Sequence, residues 1–234
     1  MSEFERLKHE IESNFDGIDI SLYYKIEAKY STRCDLGGDE MFKLYRDGIE
    51  FQWYGDASND FEPEPMTQEE EKKLEEHRAM KAIRSLERIT DIFNSFFANE
   101  DKMWVIIHNY IEDNFNRISD EYFNKVINSI PFTSIDKSIV NIEVQGGIVG
   151  EEPEYTKLEI TLASASNSEN FIKLLEGMAN YELGFKPAIQ HKIYFLSSDS
   201  IFYMYDDRGA DISSTESKKI ELLEEQFKDI IMEY

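Results

Sequence analysis

Apolar residues recur at spacings of three and four from Phe4 through Leu7 and Ile11 to Phe15, which predicts an amphipathic helix over 2–15, ended by Asp16-Gly17. Partial alternation through Ile20, Leu22, Tyr24, Ile26, Ala28 and Tyr30 predicts a strand over 18–30, followed by a turn at 34–39. Phe42 to Tyr54 reads as a hairpin turning at Asp47-Gly48. Thr67 and Glu70 have the spacing of a capping box, so a long helix starts there. Its first turns are charged nearly all round. From Ala82 through Ile83, Leu86, Ile89, Phe93, Phe96 and Phe97 an apolar stripe appears, so the second half packs on a sheet. Met103 to His108 is a nearly continuous apolar run, the pattern of a central strand buried on both faces.

A helix follows over 120–130, capped by Ser119, stopped by Pro131, with Tyr122, Phe123, Val126 and Ile127 inward. Segments 139–145 and 155–163 alternate as an antiparallel pair: Val140, Ile142, Val144, Leu158, Ile160 and Leu162 face the core, while Glu143, Gln145, Lys157, Glu159 and Thr161 face water. Ser168 starts a helix running to Tyr181, with Phe171, Leu174, Leu175 and Met178 at helical spacing. Residues 189–205 form a second hairpin, two apolar and aromatic runs around Ser197-Ser198-Asp199-Ser200. A last helix, 218–232, starts at Thr215 or Ser217 and carries Ile220, Leu223, Phe227, Ile230 and Ile231. Helices and hairpins in irregular order predict an α+β fold, a largely antiparallel sheet of hairpins with helices packed on it, in one domain of 1–234. The acidic, proline-bearing stretch 55–66 is the one linker in this reading.

Composition changes the picture in one respect. The 16 Phe, 13 Tyr and 41% hydrophobic content support a packed core, but 48 acidic against 25 basic residues leave a net charge of −23. That excludes free nucleic acid as the expected ligand, because phosphate binding requires a basic patch. It suits a cationic partner drawn in by long-range attraction, or simply an acidic soluble protein. The single cysteine, Cys34, permits no internal disulfide and reads as a small buried apolar residue. The charged N-terminus and the lack of a 20-residue apolar span make a soluble, cytoplasmic protein the expectation.

Candidate chemistry is sparse. His9, His77, His108 and His191 are scattered, and no phosphate-binding loop or nucleophile elbow occurs, so no catalytic residue, no metal site and no cofactor are expected. Asp206, Asp207 and Asp211 could hold a hard cation as an enzymatic or metal-binding module. The competing reading is turn chemistry, with Arg208 pairing Asp206 or Asp211 and Gly209 relaxing the backbone, as a clasp between the last strand and the last helix.

Residues 205–212 (YDDRGADI), with the preceding hairpin and the terminal helix, resemble the closing motif of the DUF3885 family of bacterial proteins. Leu22-Tyr23-Tyr24 with Cys34-Asp35-Leu36-Gly37-Gly38 resembles its N-terminal segment, although Arg33-Cys34-Asp35 stands where Arg-Phe-Glu is usual. Residues 88–97, Asp101 and Trp104 to Ile107 are similar to its central helix–strand step, and the long insertion 42–70 departs from it. The resemblance brings no catalytic residues. Genes of this family can lie among immunity-type genes beside bacterial toxins, so it implies an antitoxin: a cytoplasmic immunity protein that binds a cognate toxin, such as a nuclease, through an acidic surface. The contact candidates are Asp60, Glu62, Glu64, Glu69, Glu70, Glu71, Glu75, Glu76, Glu151, Glu152 and Glu154. A regulatory protein without a toxin is the remaining alternative.

Overall fold

The computed structural model describes residues 1–15, 18–21, 26–36, 42–46, 49–53, 66–111, 120–144, 154–166, 169–182, 185, 188–189, 191–205 and 209–232. Seven strands form one antiparallel sheet: β1 (Tyr30–Asp35), β4 (Met103–Ile111), β5 (Ser134–Val144), β6 (Glu154–Ala165), β7 (Lys192–Leu196), β8 (Ser200–Met204) and β9 (Gly209–Ser214), in the order β1-β9-β8-β7-β4-β6-β5. The hairpin β2 (Phe42–Arg46) and β3 (Ile49–Trp53) pairs separately, as expected, and its turn residues Asp47 and Gly48 lie outside the described residues.

Both faces of the sheet are covered. Strand β4 is central, and its side chains alternate between two cores. Val105 and Ile107, with Phe195, Phe202 and Ile212, pack under α2 (Gln68–Phe96), α3 (Asp120–Ser129), α4 (Ile172–Glu182) and α5 (Ser217–Gln226). Trp104 and Ile106, with Leu158, Ile160, Leu162, Tyr194 and Leu196, pack against Phe4, Leu7 and Ile11 of α1 (Glu3–Asn14). Ser2 caps α1 through its side chain. Thr67 and Glu70 form the full capping box at the start of α2. No helix among the described residues is long and apolar enough to cross a membrane.

Four expectations are corrected. No strand occupies the described residues 18–21 and 26–29; the first strand is β1, which takes in Cys34 and Asp35 where a turn was expected. Ile20 and Ile26 are buried all the same, because this stretch lies against the α1 core and Ala28 N–H donates to Ser213 Oγ at 2.9 Å. The expected clasp over 206–212 contains strand β9, inserted between β8 and β1. The last helix stops at Gln226 instead of Met232, because the chain turns back and pairs with β1: Asp35 N–H donates to the Ile230 carbonyl at 2.7 Å and Met232 N–H to the Arg33 carbonyl at 2.9 Å. Cys34 is fully buried, and burial pushes its thiol up to about 12.

The turn between β7 and β8 is fastened to α5. Asp199 accepts hydrogen bonds from Ser197 Oγ, Ser200 Oγ and Lys219 Nζ, and its backbone carbonyl accepts from Thr215 N–H. Burial works against the Asp199 carboxylate, but the hydrogen bonds from Ser200 and Lys219 outweigh it and its pKa is lowered.

Candidate functional site

The described part of the motif that carries the family resemblance contributes Asp211 to one sheet face, while Ala210 and Ile212 enter the core on the other. Register places Ile106 on β4, Tyr194 on β7, Tyr203 on β8, Asp211 on β9 and Arg33 on β1 in one cross-strand row. Arg33 Nε donates to Asp211 Oδ1 at 2.7 Å and its Nη2 to Oδ2 at 3.3 Å, a two-pronged contact between residues 178 positions apart. The Arg33 guanidinium also lies 5.5 Å from the centre of the Tyr205 ring. Tyr194 and Tyr203 stack at 4.5 Å. Asp211 is thus engaged by Arg33, and it brackets β9 to β1 as a strand residue. Asp206, Asp207 and Arg208 lie outside the described residues, and among the described residues no group of three side chains could hold a metal ion.

Gly209 explains itself in this setting. A Cβ there would meet the Tyr205 hydroxyl at 1.9 Å, its ring at 2.5 Å and the Cys34 carbonyl at 3.0 Å. Gly209→Ala must push the Tyr205 ring off its Arg33 contact while the β1 backbone blocks the other side. We expect it to cost about 1–3 kcal/mol, read as a lowered thermal midpoint; an unchanged midpoint would show that the ring moves freely.

Beside this row, His108 on β4 faces Lys192 on β7. His108 is buried, its Nε2 lies 2.8 Å from the Ile20 carbonyl, and its Nδ1 has no hydrogen-bond partner among the described residues. Since a carbonyl only accepts, Nε2 carries the proton and Nδ1 presents a bare lone pair. Burial, and to a lesser degree the neighbouring Lys192 charge, hold the imidazole down at about 4, although the Ile20 carbonyl pulls the other way. Lys192 lies 5.0 Å from the Tyr203 ring centre and 5.6 Å from that of Tyr194, and burial lowers its amine to about 8 against the pull of Asp211. In the sequence His108 reads as the end of an apolar strand. The signal for the cluster was parity: Lys192 and Tyr194 share a face of β7, and the short hairpin sets Tyr203 opposite Tyr194.

The carboxylates expected to meet a partner fall in three places. Asp60, Glu62, Glu64, Glu151 and Glu152 lie outside the described residues, and Glu154 is placed only by its backbone, opposite Val144 at the end of the β5–β6 pair. Glu69, Glu70, Glu71, Glu75 and Glu76 occupy the first half of α2, where no side chain from Gln68 to Lys81 is buried, so this half of the helix is solvated as expected. It is less acidic in effect than its glutamates suggest. Lys72, Lys73, Arg78 and Lys81 accompany them, Glu69 pairs with Lys73 at 2.8 Å, Glu76 with Lys72 at 3.7 Å, and Glu70 is committed to the cap. On β5 and β6, Ile135 and Ile139 are exposed on the expected wet face, and Glu159 and Thr161 are half-buried beside α3 instead of fully solvated.

No curated protein and no solved structure matches the chain. One family model does, described as a domain of unknown function, DUF3885, and it matches residues 7–234. The paired strands that carry Arg33 and the 205–212 motif both lie inside that match, which spans nearly the whole chain; the protein belongs to the DUF3885 family.

Proposed function

We propose that this chain is a binding protein of the immunity type, a cytoplasmic inhibitor that neutralises a cationic toxin by direct contact. The observation that carries the reading is the net charge of −23 on a folded chain. Exposed carboxylates stand on several described helices, among them Glu5, Glu71, Glu75, Glu121 and Glu225. A field of that sign repels nucleic acid and accelerates encounter with a basic protein. A nuclease fits as the target, because a site that holds phosphate is itself cationic.

The test is co-purification of the native chain followed by association kinetics on what is recovered. We expect a basic protein whose association rate falls about tenfold or more between ~0.05 and ~0.5 M salt, the mark of electrostatic steering. Recovery of acidic or neutral partners only, or a salt-independent rate, would overturn the proposal.

A further inference from the structure

The two edges of the sheet are treated differently. At the β1 edge the chain's own C-terminal segment pairs with the strand, through Ile230 and Met232 on either side of the Cys34–Ile231 bridge. At the opposite edge β5, 11 residues long, pairs among the described residues with β6 alone. A long edge strand offers a row of outward N–H and C=O groups, and proteins ordinarily blunt such edges. Here the α3-side face of β5 carries Ile135 and Ile139, 46% and 57% exposed. Beside them a groove of 290 Å³ opens between α3 and the strands, with Ile107, Phe123 and Ile127 among its apolar walls and Lys137 and Glu159 in its lining.

We propose that β5 is the docking edge for an extended, basic segment of another protein, which adds an eighth strand to the sheet. This rests on the reading that the partner is cationic, and it names the face that receives it. The backbone of the incoming strand bonds to the outer edge of β5, and its apolar side chains, alternating in position, settle against Ile135 and Ile139 and into the groove. Charge selects the occupant. The one lysine of β5, Lys137, is already held by Glu159 at 2.8 Å, and Glu143 and Glu154 mark the far end of the strand pair. A second copy of the chain would bring another −23 to the same edge, whereas a strand alternating apolar and basic residues brings compensating charge.

The experiment uses the full chain and a blocked eight-residue peptide of alternating valine and lysine. Its control has the same side chains but N-methylated alternate amides, which remove the strand's hydrogen bonds and keep its charge. We expect hydrogen-exchange protection concentrated in 134–144. We also expect binding at least tenfold weaker for the N-methylated peptide and for the Ile135→Lys/Ile139→Lys variant, whose exposed positions tolerate lysine. Equal binding of both peptides, protection elsewhere than β5, no binding at all, or protection that instead tracks dimerisation of the chain would each overturn the assignment. If the peptide fails at β5 while a co-purified basic protein still associates in a salt-dependent way, the edge falls and the cationic-partner reading stands. If no basic partner is recovered either, both fall.

Discussion

Phe93→Ala should cost about 4 kcal/mol, the middle of the range for a buried aromatic truncated to a methyl. Phe93 sits in the α2 face that meets the centre of the sheet and is fully buried. Its ring packs edge-on against three others, Phe97 at 4.9 Å and Phe195 and Phe202 at 5.1 Å each. Such pairs are each worth about 0.5–1.5 kcal/mol beyond the area they bury, so the loss exceeds simple transfer. The cavity also resists collapse, because Phe195 and Phe202 are fixed on paired strands and cannot follow the missing ring. Against a typical domain stability of about 5–15 kcal/mol the variant should be marginal. Urea unfolding would report it as a lowered midpoint at unchanged slope. Asp91→Ala, on the exposed side of the same helix, should stay within about 0.5 kcal/mol of the parent and controls for helix propensity. A Phe93→Ala cost below about 1 kcal/mol, in the range of a surface change, would mean that the aromatic cluster is not the keystone of this core.

Elements whose order is set locally were legible in the chain. The capping box fixed the start of α2, helical spacing fixed α1 and the apolar half of α2, and the run from Met103 marked the central strand. The hairpins β5–β6 and β7–β8 followed from alternation and turn chemistry. Elements whose state is decided by distant partners were not legible. Strand β9 reads GADISS, small and polar, which by itself is turn composition. It is a strand because β8 and β1 flank it, and five of its six residues are buried. Residues 18–30 alternate well enough for a strand, yet Ile18, Ile20, Ile26 and Ala28 serve as cover for the α1 core, and among the described residues of the stretch only Tyr30 enters the sheet. The same cause hid the site. Arg33 and Asp211 are neighbours only after β1 and β9 pair, and nothing in either local sequence announces the other. The physical reason for the motif's glycine is likewise non-local: Gly209 admits the Tyr205 ring, and Tyr205 lies under the arginine that brackets the two strands.

The buried imidazole makes the fold sensitive to mild acid. His108 is held at about 4 when folded, against about 6.5 for an exposed histidine, so the unfolded chain takes up a proton more readily than the folded one. Stability from this residue is therefore complete above pH ~6.5 and is lost as pH falls toward ~4. At about 1.36 kcal/mol per pH unit over that window, the loss approaches ~3 kcal/mol. The groups packed around the ring set the window. Lys192 disfavours the imidazolium, the Tyr194 ring lies edge-on at 5.6 Å, and Ile20 supplies only a carbonyl. His108→Gln keeps a donor for the Ile20 carbonyl and cannot titrate, so its unfolding free energy should fall markedly less across the same window, leaving only what carboxylates such as Asp199 lose at its acid end. Lys192→Met removes the neighbouring positive charge, lets the ring protonate at higher pH while folded, and should shrink the acid loss without abolishing it. Chemical denaturation at intervals between pH 7 and pH 4 separates these three behaviours. A wild-type chain that keeps its stability over this range, or a His108→Gln variant that loses as much as the wild type, would show that the ring gains water or a partner on protonation and that burial does not hold it neutral.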